Sequence, residues 1–433
     1  MREKKDKRKQ NKEPLISYKG IDLTIVFVSL FLSVFCLVFV YSASAFELND
    51  KVTLLKIIHV TSSERLLFMT LFYIFAGIIM MLVVASFNFR RLEDFIPNIY
   101  RYVIKNPTIY YLVSCSFFIY IEVMKHVGGN SGGDGAEAVN VGLGTIRKAN
   151  GAYRWINVIP NSRISYQPSE VVKLLLIIAF AIMLYNAGMM LQKLRGIALY
   201  LAIAGIPSML VLLCSSDLSS SIVIFAVLFI MMIVAGHDYR KTGLTILVIG
   251  LLGFLVMLAF IIPNKGKPES EIRPYQAKRI LAWIYPDDYP ATSDQTTQAM
   301  YAIGSGGLFG EGIGNSMQKI KKLPEAQNDM IFALICEELG LFGGLLVLSL
   351  YFVMLLRMFM IACETNDMFD RMVVVGVMAH IGLQVLINVC VVTRIFPNTG
   401  LPLPLISAGG SSIVFMYIEL GFVLNAGKRI ERR

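Results

Sequence analysis

Charge is scarce in this sequence. Only 16% of its 433 residues are Asp, Glu, Lys or Arg, against 56% hydrophobic, and the mean hydropathy is +0.64. That balance excludes a soluble globular domain, which needs far more polar surface. The net charge of +10 is not gathered on a polar module, which argues against nucleic acid. Histidine is rare, and the four residues (His59, His126, His237, His380) are scattered, so no metal cage is spelled out. The six cysteines fall in or at the ends of apolar runs without regular spacing, and read as free thiols rather than disulfides or zinc ligands. There is no HExxH and no pair of aspartates at matching depth in adjacent apolar runs, which counts against an intramembrane protease. No repeat of 20 to 50 residues is visible, nor an inverted repeat of the transporter kind.

What fills the chain is apolar runs of helix length. About 20 such residues cross a bilayer. Ten runs qualify, at roughly 21–45, 66–88, 108–124, 168–190, 197–213, 218–235, 243–263, 329–361, 372–394 and 405–427. The eighth exceeds one vertical crossing, which predicts a tilt or an extension beyond the bilayer. The expected fold is an all-α integral membrane protein of ten transmembrane helices. It forms a single polytopic domain, 21–427, between basic tails at 1–20 and 428–433. Eight Lys/Arg precede the first run, the positive-inside signal of a cytoplasmic amino terminus. Arg90, Arg91, Arg101 and Lys105, then Lys193 and Arg195, then Arg240 and Lys241 fall in the inner loops this predicts. Both termini are therefore expected inside. The first run is longer than a signal-peptide core, although Ser42-Ala43-Ser44-Ala45 imitates a cleavage site.

Two outer loops are long, about 125–166 and 265–326. The first opens with GGNSGGDGAEAVNVGLG, a low-complexity stretch. It closes on GAYRWINVIPNSRISYQPSE, with Pro168 where a helix would begin. The second separates spans seven and eight, and connections of that length are usually functional. It carries Asp287 and Asp288, the basic residues Arg273, Lys278 and Arg279, Trp283, and a glycine run from Gly304 to Gly314. The glycines suit either phosphate binding through backbone N–H groups or a tight turn needing positive φ.

Ionisable residues inside spans are costly and therefore informative. Span four opens with Glu170 and Lys173, an i,i+3 pair on one helix face. Asp217, between spans five and six, reads as an N-cap when taken alone. Glu337 and Glu338 lie about two turns into span eight, Glu419 lies within span ten, and Arg394 ends span nine. Most of these charges gather toward the outer half, which predicts an outward-facing polar cavity.

Five motifs in order make the chain resemble the SEDS family (shape, elongation, division and sporulation), the RodA/FtsW-type polymerases of bacterial cell-wall glycan. They are GAYRWINV…YQPSEVVKL at 151–174, RI..W..P with Arg279, Ile280, Trp283 and Pro286, AIGSGGLFGEGIGNS at 302–316, LPEAQNDMIFALICEELG at 323–340, and FPNTGLPLPLISAGGSS at 396–412. One short motif is weak evidence, but five in order over about 260 residues are strong. The chain departs from the family at SSDLS, which keeps only Asp217 of the usual QPDLG, and at Ala408, where tyrosine is usual. It departs again at ATSDQTTQ after the acidic pair.

The resemblance implies lipid II as substrate, an undecaprenyl-pyrophosphate-linked disaccharide-pentapeptide. It implies a catalytic aspartate in the second loop, best matched by Asp288 with Asp287 as runner-up. The donor linkage is α and the product β, so one inverting displacement with one general base is enough. The departing pyrophosphate needs positive charge, from Arg273, Lys278, Arg279 and Lys173 or from a divalent cation such as Mg²⁺. Glu170, Asp217, Glu337 and Arg394 complete the expected substrate-binding set. The polyprenyl chain implies a lipid-facing groove below the large loop, and family analogy implies a class B penicillin-binding transpeptidase as partner. The rival reading is a lipid II flippase, whose polar residues should continue toward the inner leaflet.

Overall fold

The computed structural model describes residues 20–44, 62–88, 105–129, 138–141, 144–149, 152–157, 165–215, 217–236, 239–269, 271–272, 275–320 and 326–430. The basic tails beyond them and Arg273 lie outside the described residues. In hydrocarbon every backbone N–H and C=O must be satisfied within its own segment, so the apolar runs become helices. In chain order these are α1 (Leu23–Ser44), α2 (Ser62–Ser86), α3 (Pro107–Gly129), α4 (Pro168–Ala187), α5 (Leu194–Ser215), α6 (Leu218–Ala235) and α7 (Tyr239–Ile261). Three helices of the large loop follow: α8 (Tyr275–Ile284), α9 (Pro290–Gly306) and α10 (Met317–Ile320). The chain ends with α11 (Ile331–Glu364), α12 (Met368–Val392) and α13 (Ser411–Lys428).

The protein is a multi-pass membrane protein, nearly all helical. Eight described helices (α1, α2, α4, α5, α6, α7, α11 and α12) are long and apolar enough to cross a membrane. The other two expected spans are also helices: α3 includes the apolar stretch Pro107–Tyr120, and α13 carries Glu419, Asn425 and Lys428. The main core runs through α1, α4, α6, α11, α12 and α13. Small residues bring α2 and α13 together: a Cβ on Gly77 would lie 2.5 Å from the Tyr417 ring, and one on Gly421 would lie 2.8 Å from the Met81 carbonyl.

The first long loop, low in complexity at its start, adds a small sheet to an otherwise helical fold. Strands β1 (Ala138–Val141), β2 (Gly144–Ala149), β3 (Ala152–Asn157) and β4 (Ser165–Tyr166) pair antiparallel in the order β1-β2-β3-β4. The aromatic and β-branched residues of AYRWIN (Tyr153, Trp155 and Ile156) favour a strand despite the flanking glycines.

The eighth run is a helix broken near its start. Gly340 sits at φ 70° and ψ −169° inside α11, a conformation no L side chain adopts easily. The remaining 341–364 measures about 36 Å, a normal crossing. The break frees backbone groups that would be ruinous in hydrocarbon, and the glycine-rich stretch takes them up. Glu311 and Gly312 donate N–H bonds to the carbonyls of Glu337 and Glu338 (2.9 and 3.0 Å). Leu341 and Phe342 donate to the carbonyls of Gly307 and Leu308 (2.9 and 3.3 Å). Gly310 (φ 79°) passes so close that a Cβ would lie 2.3 Å from the Glu338 carbonyl oxygen. Of the two readings of the glycines, the tight turn describes what they do here.

Candidate functional site

The acidic pair stands on a small core of its own. Helix α8 is amphipathic: Ala277, Leu281 and Ala282 are buried with Ile272 and Tyr289 against Phe260 and Ile261 at the end of α7. Pro286 follows α8, and its carbonyl accepts from the Tyr289 N–H (3.3 Å) and from the Ser293 hydroxyl (3.0 Å). Pro290 then starts α9, where its missing N–H costs nothing. Asp287 and Asp288 are the two central residues of this turn, and both are exposed. Neither makes a hydrogen bond or ion pair with another described residue. Buried Tyr289 holds the backbone immediately beside Asp288.

Side chains of α8 fasten the turn to the rest of the loop face. Trp283 donates from Nε1 to the Arg394 carbonyl (3.0 Å), which a left-handed backbone at Arg394 (φ 60°) presents to it. Arg279 donates to the Asn398 carbonyl (3.1 Å). Lys278 pairs with Glu269 at 3.2 Å. Partial burial raises the Glu269 carboxyl's pKa, but bonds from the Thr292 hydroxyl and from Lys278 outweigh it and hold the group below its ordinary 4.5.

The motifs spread along the chain converge here. Asn388 donates both to the Asp329 carbonyl and to the Leu401 carbonyl (2.8 Å each). The Ser407 hydroxyl donates to the Asn328 carbonyl (2.6 Å), and the Ala408 N–H donates to that of Gln327 (3.0 Å). Gln167, just before α4, donates its N–H to the Ser411 hydroxyl (3.3 Å). With the Trp283 and Arg279 contacts, segments of all five motifs are stitched on one side of the bundle.

Other expected residues take distinct places. Asp217 caps α6, accepting from the N–H of Ser220 (3.2 Å) and from its hydroxyl (2.8 Å). Ser219 next to it donates to the Thr399 carbonyl, which joins this cap to the same face. Glu170 and Lys173 form a buried 2.7 Å pair in the first two turns of α4. Glu337, fully buried, accepts from the Ser316 hydroxyl and from the N–H groups of Met317 and Gln318 (2.8 and 3.0 Å). It thus caps α10 and ties the glycine stretch to α11. Glu338 accepts from Ser42 of α1 (2.5 Å). Both glutamates lie in the short segment of α11 before the break at Gly340.

Sequence reasoning passes over several polar groups. Asp329 accepts from Gln295 (3.1 Å), which accepts in turn from Asn398 (2.6 Å). The signal is there, a carboxylate opening a span, but its place inside the LPEAQNDM motif masks it. His380 and Glu419 look isolated along the chain; the structure places them 2.8 Å apart, both buried.

Comparison with known proteins agrees with the motifs. Residues 138–431 match the family profile FTSW_RODA_SPOVE, described as "Cell cycle protein". The chain belongs to this family. Within this SEDS family it is 32% identical to Stage V sporulation protein E of Bacillus subtilis over 409 residues, covering 94% of this chain and 97% of that one. It is 34% identical over 290 residues to a probable peptidoglycan glycosyltransferase FtsW of Coxiella burnetii, covering 66% of this chain and 73% of that protein. The SEDS fold is shared with the rod shape determining protein RodA of Thermus thermophilus: 22% identity, TM-score 0.60, 96% of this chain and 99% of that one. A chain from a structure described as "Structural coordination of polymerization and crosslinking by a peptidoglycan synthase complex" superposes at TM-score 0.68 with 22% identity, covering 96% of this chain and all of that one.

Proposed function

We propose that this protein is a peptidoglycan glycosyltransferase that polymerises lipid II at the outer face of the bacterial cytoplasmic membrane. One observation carries the reading. Two exposed carboxylates, without a partner among the described residues, sit in a turn held by a buried tyrosine, two prolines and an anchored helix. Solvated loop charges need no such frame, whereas a general base must be held in one place. The FtsW names among its relatives support the same activity.

In this reading Asp288 is the base, with Asp287 as the alternative. It takes the proton from the 4-hydroxyl of the acceptor sugar as that oxygen attacks the anomeric carbon of the donor, and undecaprenyl pyrophosphate leaves from the opposite face. Lys278, Arg279, Lys173 and Arg273 are the cations proposed to face the pyrophosphate. Glu170, Asp217, Glu337 and Arg394 shape the binding face, Glu337 through α10 and Arg394 through its carbonyl to Trp283. A Mg²⁺ ion would fit this face only together with the substrate. Among the described residues no group of three or more His, Cys, Asp or Glu gathers, so the acidic turn would supply one or two ligands and the pyrophosphate the rest. The polyprenyl groove is proposed beside α7, which leads into the loop and whose apolar window is wholly unburied. The proposed topology has ten spans and both termini inside. A transpeptidase of the class B penicillin-binding type is the proposed partner.

The test is purified protein with lipid II in detergent. Glycan polymer is the expected product. A flippase, which only moves lipid between leaflets, would yield none there.

A further inference from the structure

Two buried ionisable pairs lie within the bundle on neighbouring helices. Glu170 and Lys173 of α4 are 4% and 3% exposed, and His380 of α12 and Glu419 of α13 are 1% each. Nδ1 of His380 lies 2.8 Å from Oε2 of Glu419. A carboxylate accepts, so Nδ1 donates, and in the tautomer this sets for a neutral ring Nε2 is an acceptor. That Nε2 is buried without a hydrogen-bond partner among the described residues. Lys173 and His380 line one small cavity together with Leu176 and Ile177 of α4 and Ile224, Val227 and Leu228 of α6. The space open to water centres there is about 10 Å³, room for one water. The Lys173 ammonium carries three donors, of which one goes to Glu170 (2.7 Å).

We propose that this cavity is a one-water site joining the two pairs into a single chain, Glu170–Lys173–water–His380–Glu419, in which His380 and Glu419 are positioning residues for Lys173. The water accepts from Nζ of Lys173 and donates to Nε2 of His380. The other cavity walls are apolar, so these two ends fix its orientation. Charged groups reach the chain from α4, α12 and α13, and α6 contributes only hydrocarbon. Neither His380 nor Glu419 belongs to the five motifs, so the support for Lys173 comes from outside them. Without it the lysine head would hold only Glu170 on its own helix, with nothing polar tying it to α12 or α13.

The site is tested on the full-length protein in lipid nanodiscs, with nitrogen-15 histidine and solid-state NMR. The His380 signals are identified by their loss in His380→Leu. At neutral pH, Nε2 is expected unprotonated, in contact with a water proton, and shifted in Lys173→Met. A protonated Nε2, or one without water contact, overturns the site. The positioning role rests on the polymerase reading and is tested by rate. His380→Leu combined with Glu419→Leu replaces the pair by apolar groups, an exchange that buried pairs often tolerate in stability. It is expected to melt no lower than the parent. Its kcat should fall about tenfold or more with KM little changed. A parental kcat in that double variant would make the pair merely structural. The spectroscopy decides the site whether or not the parent polymerises lipid II.

Discussion

Asp287 and Asp288 share one turn and both stand in water, yet only Asp288 adjoins the buried Tyr289. A base next to a fixed residue is better held than one a peptide further out. Asp288→Asn is therefore expected to lower lipid II polymerisation by roughly 10²–10⁴-fold, the usual contribution of a general base. Lipid II binding should survive, because the amide keeps the size and part of the hydrogen bonding. Asp287→Asn should be milder. Quantifying polymer and lipid II retention for both variants checks this: a parental rate in Asp288→Asn with a dead Asp287→Asn would reverse the assignment. Glu269 invites a second measurement. Its folded pKa lies below the ordinary 4.5, so its support for α8 is complete above that value and fades as pH falls through the lower one. The melting difference between parent and Glu269→Gln should stay constant from neutral pH down to about 4.5 and close below it. A difference that instead grows in acid would contradict the Lys278–Glu269 tie.

At the scale of elements, the broken α11 and the glycine stretch act as one unit. Each supplies the hydrogen bonds that the other lacks, and Glu337 adds a carboxylate tie to α10. Gly310→Ala would force a Cβ to 2.3 Å from the Glu338 carbonyl oxygen at φ 79°. Backbone strain of this kind costs on the order of 1–3 kcal/mol, so the melting temperature should drop by several degrees. Gly304, inside α9, has nothing within 4 Å of an added Cβ. Gly304→Ala should be neutral or stabilise by up to about 1 kcal/mol, since alanine is the better helix former. Thermal unfolding of the two variants side by side is the check, and equal melting points would refute the interlock.

At the scale of the whole molecule, the proposed orientation rests on the charged loops. Cysteines placed at 140 and 300 should react with an impermeant reagent in intact cells, and cysteines at 240 and 430 should not. An inside location for 300 would place the acidic turn on the wrong side for a lipid-linked sugar and overturn the proposed reaction.

Hydrophobic run length by itself determined most of the architecture. Each apolar run became a helix close to its expected bounds, because hydrocarbon leaves the backbone no alternative. Local chemistry was legible too: Asp217 caps α6, and Pro168 opens α4. The acidic pair and Trp283 stood out by residue type, and the five motifs by resemblance to a family. What stayed hidden was everything set by contact between distant segments. The break at Gly340 looks like any glycine in an apolar run, and only the glycine stretch lying alongside makes it tolerable. His380 and Glu419 are 39 residues apart, and nothing in either neighbourhood points to the other. Run length and capping are properties of neighbouring residues, which a sequence displays directly. Satisfaction of a freed carbonyl or a buried carboxylate depends on which helices meet, and that is decided only when the bundle packs.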